Sequence, residues 1–132
     1  MTMESKNRIE EAVAALERIQ TNLAGIASRS DAERRRDLIR LRRELAIQYA
    51  ELNTLVEAWI EESKRPELRG QHRERFSRMR SAAAMHQANW PAVSLDPSSP
   101  EFQASAARVR EANRTYVEWI RSIVAGADHP ST

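Results

Sequence analysis

The stretch DLIRLRRELAIQYAELNTLVEAWIEESKRP, residues 37–66, decides the fold. Its apolar residues fall at Leu38, Leu41, Leu45, Tyr49 (beside Gln48), Leu52, Leu55 with Val56, and Trp59 with Ile60. Spacings of three and four, held without a glycine or proline until Pro66, describe one face of a long α-helix. A helix of this kind cannot bury its stripe alone, so the rest of the chain must supply the partners.

Working outward, each flank repeats the pattern. Residues 4–28 carry Ile9, Leu16 and Leu23 at intervals of seven, with Ala12, Ile19 and Ile26 in a second seam, as in a coiled coil. Ser30 and Glu33 have the spacing of a capping box, which predicts that helix 2 starts there and runs to about Lys64. Pro66 to Gly70 interrupt the chain, so helix 3 begins between Pro66 and Gln71. Its face reads His72, Phe76, Met79, Ala83, His86 and Trp90, and Pro91 ends it. Residues 91–99, PAVSLDPSS, form the longest linker. Ser99 as cap with Pro100 in the first turn then predicts helix 4, running to about Ala125 through Phe102, Val109, Asn113, Tyr116, Ile120 and Val124. Gly126 suits the left-handed position after a helix.

The expected fold is therefore all-α, an antiparallel up-down-up-down four-helix bundle with helix 2 the longest. Residues 1–126 are read as one domain and 127–132 as a disordered tail. At 1.5 Å per residue helix 2 outruns helix 1 by more than two turns, so one end of helix 2 must project or find another partner. A helix 1–helix 2 hairpin that buries itself by dimerisation is the alternative architecture.

Composition limits the chemistry. The 132 residues include no cysteine and three glycines, which excludes disulfides, thiolate metal sites and a cysteine nucleophile, and argues against Gly-rich phosphate loops. Twenty of the apolar residues are alanine, so the core is thin. His72 and His86 lie four helical turns apart and cannot share a metal ion. No HExxH or Glu-x-x-His motif occurs, and the expectation is no metal, no cofactor and no enzyme activity. The polar first ten residues and the absence of any long apolar run lead to an expected cytoplasmic location without membrane contact.

The formal charge of +2 conceals two arginine-rich stretches among 19 Arg and 2 Lys. Residues 64–80 fold back onto Glu51, Glu57 and Glu61 of helix 2, which predicts interhelical ion pairs. Residues 29–43 hold seven Arg against three acids, and Arg34, Arg35, Arg36 and Arg40 point around the helix. That segment is either a solvated helix start or a patch for an anion or nucleic acid.

The candidate binding residues are the large rings Trp59, His86, Trp90, Phe102 and Trp119. His86 reads either as a core-edge histidine bonded to a neighbouring helix or as part of a pocket at the helix 3–linker–helix 4 end, walled by Trp90, Phe102, Val93 and Leu95. Asn53 and Asn113 near the seams are either buried register-setters or solvent-facing. In length and helical content the chain resembles small helical secretion and flagellar export chaperones, a likeness of class that transfers no residue. The functional expectation is a non-enzymatic adaptor or chaperone-like module binding another protein or a second copy of itself. The alternatives are an anion or nucleic-acid module through residues 29–43, and a small-molecule sensor or enzyme with a pocket near His86.

Overall fold

A computed structural model describes residues 3–26, 28–92 and 98–127. Four helices follow in order: α1 (Met3–Ile26), α2 (Arg34–Ser63), α3 (Glu67–Asn89) and α4 (Pro100–Ala127). Each packs on its neighbour in sequence, and α4 returns against α1, which closes the expected antiparallel bundle. There is no strand among the described residues.

The stripe that opened the sequence is the one that is buried. Leu38, Leu41, Leu45, Tyr49, Leu52, Val56, Trp59 and Ile60 all face inward from α2. They meet Ile9, Ala12, Val13 and Leu16 of α1, Leu68, Met79 and Ala83 of α3, and a run from Val109 to Val124 of α4. Burial of each large side chain contributes about 1.5–3 kcal/mol. Most of this core lies toward the C-terminal half of α2. A second, smaller cluster of Ile26, Leu38, Leu41 and Phe102 sits at the opposite end, with Trp90 and Ala92 against it. The surplus length of α2 is thus covered by the start of α4 and the residues after α3, within one chain.

A layer of buried polar groups crosses the main core. The Tyr49 hydroxyl donates to Asn113 Oδ1 at 2.6 Å, which places Asn113 in the interior and joins α2 to α4. Buried His72 lies 3.1 Å by Nδ1 from Glu57 Oε1 and 2.6 Å by Nε2 from the Tyr116 hydroxyl. A carboxylate only accepts, so Nδ1 carries the proton and Nε2 accepts from Tyr116. Burial holds this imidazole below its ordinary pKa, against the pull of Glu57. The His72 ring also stacks on Trp119, with centroids 6.0 Å apart. One histidine on α3 therefore ties α2 and α4 together.

The expected pairing of α3 with acids of α2 is realised in part. Arg69 reaches Glu61 at 2.6 Å, and Arg69 and Arg73 lie 3.9 and 3.8 Å from Glu57. Arg75 and Arg80 instead lie over the rings of Trp119 and Phe76.

Helix boundaries correct two expectations. Ser30 and Glu33 form no capping box: α2 starts at Arg34, and Glu33 makes no side-chain cap bond. Asp31 is gripped by the Arg29 guanidinium at 2.6 and 2.8 Å, and a turn from Asp31 O to Arg34 N delays the helix. Gly126 stays helical, and no glycine has positive φ among the described residues, because α4 continues to Ala127. The left-handed position falls instead on Lys64 (φ 56°, ψ 41°), which ends α2 two residues before Pro66. The start of α4 is as expected, with Phe102 N donating to Ser99 Oγ at 3.3 Å. The tail beyond Ala127 lies outside the described residues.

Two stability changes follow. Lys64→Gly relieves a side chain held in the left-handed region and should raise unfolding free energy by roughly 1 kcal/mol in urea melts. Tyr116→Phe leaves His72 Nε2 buried without its donor and should lower it by about 1–3 kcal/mol.

Candidate functional site

Between the two apolar clusters the bundle is not filled. A cavity of about 260 Å³ opens there, and all four helices line it. From α1 come Gln20, Leu23, Ala24 and Ile26. From α2 come Leu38, Arg42 and Leu45, one residue per turn of the buried stripe. α3 supplies Ala83, His86 and Gln87, and α4 supplies Phe102, Gln103, Ala106, Val109 and Arg110. The void has a local cause. Ala83 of α3 and Ala106 of α4 face this space, with exposed Ala24 of α1 at its rim, and their methyl groups do not fill it.

The charged groups around this space are all cationic, and the other polar groups are neutral: three glutamines and one imidazole. Gln20 Nε2 is buried with no hydrogen-bond partner among the described residues. Arg42 is half-buried between Leu38 and Leu45, and burial lowers its pKa with no carboxylate to offset the effect. His86 joins the wall through a 2.7 Å hydrogen bond between Nδ1 and Ser105 Oγ of α4. Its pKa is pushed down to about 4, first by burial and then by the cations Arg42, Arg108 and Arg110. The imidazole is therefore neutral at pH 7. Neither Asp nor Glu lines the cavity.

Of the five candidate ring residues, the structure brings three together. His86 and Phe102 share the cavity wall, with ring centroids 5.2 Å apart. Trp90 packs edge-on against the outer side of Phe102 at 5.6 Å. Trp59, fully buried, and Trp119, 9% exposed, belong to the main core instead. Val93 and Leu95 lie outside the described residues. His86 makes the expected bond to a neighbouring helix, and the cavity beside it is walled by all four helices, with Trp90 outside its lining.

Gln20 and Arg42 were not singled out in the sequence. The signal was present, since Arg42 stands four residues after Leu38 and three before Leu45, inside an apolar stripe. Gln20 likewise follows Leu16 by four and precedes Leu23 by three.

The arginine-rich segment is largely engaged. Arg29 pairs with Asp31 and Asp37, Arg36 with Glu33, and Arg40 with Glu44. Arg34 donates to the Arg29 carbonyl at 3.1 Å. Arg35 has no carboxylate at ion-pair distance among the described residues; with Arg34, Arg36, Ile39 and Ala92 it lines a shallow surface depression. Glu10 and Glu17 face Arg121 of α4 rather than this segment.

No cluster of three or more His, Asp or Glu residues able to hold a metal ion occurs among the described residues. No helix of the described residues is long and apolar enough to cross a membrane. No protein-family model, curated protein or solved structure matches the chain.

The histidine in this wall makes stability depend on pH. Unfolded, its ring titrates near 6.5; folded, near 4. Between those values the unfolded chain binds a proton that the folded chain does not, so stability is complete above pH 6.5 and falls as pH drops towards 4. Buried His72, also shifted down, adds a loss of the same sign. Urea melts of His86→Asn should therefore show a shallower decline over this window than the parent chain. Identical slopes would contradict the burial of His86.

Proposed function

We propose that the chain is a non-enzymatic small-molecule-binding bundle, a sensor or carrier that works through the four-helix cavity at its linker end. The observation that carries this reading is the cavity itself, with apolar walls and a few convergent polar groups, one of them a buried donor without an acceptor. Every helix contributes to the wall, so an occupant would bridge all four and change their relative free energies. The one hydroxyl–imidazole pair at the cavity, Ser105 with His86, has its hydroxyl buried and outside the lining, and no carboxylate lines the space to orient the ring, which supports binding rather than catalysis. A cytoplasmic site of action suits a chain without cysteine.

A second reading, an adaptor or chaperone-like surface for another protein or a second copy, draws on Ile39, Ile47 and Met85. These are the large apolar side chains left most open along α2 and α3, at 45%, 62% and 65% exposure. The cavity takes precedence because Trp59 and Trp119, two anchors of the partner reading, are spent on the core.

A thermal-shift screen of small amphipathic compounds tests the proposal. A compound that binds only the folded chain adds about 2.7 kcal/mol at a concentration roughly a hundredfold above its Kd. Ala106→Phe fills the cavity from α4 and should keep the fold while abolishing the response. A response that survives in Ala106→Phe, or no response from the parent chain, would count against the cavity as the binding site.

A further inference from the structure

The chemistry of the cavity selects its occupant further, and this step rests on the binding reading just given. From the cavity lining we infer that the site takes a small monocarboxylate with an apolar body, its carboxylate held by Arg42 with help from Gln20 and Arg110, its body lying against Leu23, Leu45 and Phe102.

Three observations carry this. The first is charge. Arg42 and Arg110 line the space, and no acidic residue does. Ten of the 19 arginines have a carboxylate within ion-pair distance. Of the rest, Arg34 bonds the Arg29 carbonyl, Arg75 lies over Trp119, six are exposed, and Arg42 is half-buried with no carboxylate partner among the described residues. A half-buried guanidinium without a counter-ion is costly, and its planar fork matches a carboxylate in two parallel hydrogen bonds.

The second is hydrogen-bonding capacity. Gln20 Nε2 is a buried donor in want of an acceptor, on the helix that faces Arg42. A carboxylate has about four acceptor positions, enough for the arginine fork and the amide together. An amine or ammonium ligand would bring more donors to a wall already rich in them and would stand against two cations.

The third is size and polarity. A 150 Å³ apolar cavity accommodates benzene, so about 260 Å³ suits a body of roughly ten non-hydrogen atoms. Phe102, in contact with the rings of His86 and Trp90, gives that body an aromatic wall. A phosphate ester or dianion fits less well, because the remaining lining, apart from the neutral amides of Gln87 and Gln103, is Leu, Ile, Val and Ala.

Calorimetric titration of the full chain tests this with two matched pairs, phenylpropionate against phenylpropionamide and octanoate against octanamide. At least one acid should bind about tenfold or more tightly than its uncharged amide. Arg42→Met should erase that preference by weakening the acid about tenfold or more and the amide far less, while its melting temperature stays equal or rises as a desolvated cation is removed. Should Arg42→Met fail to fold, Arg110→Met at the rim gives a second test, with a partial loss of the preference expected. Equal affinity for acid and amide, or a preference unchanged by both substitutions, would overturn the carboxylate assignment and leave the cavity as a binding site. If neither acid nor amide binds at all, both the assignment and the binding reading fall.

Discussion

The hydrogen bond from Tyr116 to His72, with Glu57 on the other side of the ring, fixes how the helices sit along one another. An alanine-rich bundle with heptad-like stripes tolerates axial slippage, because one small apolar residue replaces another at modest cost. A buried imidazole does not. Its two nitrogens must meet a carboxylate on α2 and a hydroxyl on α4 at once, and any shift strands a polar group in the core. The Tyr49–Asn113 bond, one turn of α4 away, repeats the constraint between α2 and α4. Together these bonds set the register from which the rest of the structure follows.

In that register the two ends of the bundle differ. At the α2 C-terminal end, Trp59, Ile60, Val56 and Ile120 fill the interior, and Trp119 covers His72. At the linker end, Phe102 and Leu38 close the bundle while Ala83 of α3 and Ala106 of α4 line the space beside them. The cavity is a consequence of that register, as is the placement of Arg42 and Gln20 beside it. No carboxylate among the described residues neutralises Arg42 there, whereas ten other arginines lie within ion-pair distance of an Asp or Glu. A fold concerned with stability alone would gain from a leucine at position 42 or 106.

Much of this was legible in the sequence, for reasons that can be traced. The α2 stripe, the Pro66 break and the Ser99–Pro100 start depend on local periodicity and local capping, so they survive unchanged into the structure. Ser30 and Glu33 satisfy the same local rule yet form no cap, because Arg29 competes for Asp31 and reshapes the turn. Gly126 likewise stays helical, and Lys64 takes the left-handed role that a glycine would fill more cheaply. The cavity was only half legible. His86 and Phe102 attract notice as large rings on an apolar face, but Trp59 and Trp119 look the same and are core. What separates them is which residues lie opposite on other helices, and a single helix face does not contain that information. Arg42 was visible as a charge within a stripe, but its lack of a counter-ion is a property of four helices together.

The central claim is a cavity that exists before any ligand arrives, held open by the register of the bundle. The most direct test is a crystal structure of the full chain determined under xenon pressure, since this apolar, polarizable atom settles in apolar internal cavities. Xenon should bind between Leu23, Leu45 and Phe102, beside Ala83 and Ala106, with the His86–Ser105 bond intact. Side chains collapsed across that space, with no xenon among them, would contradict that claim.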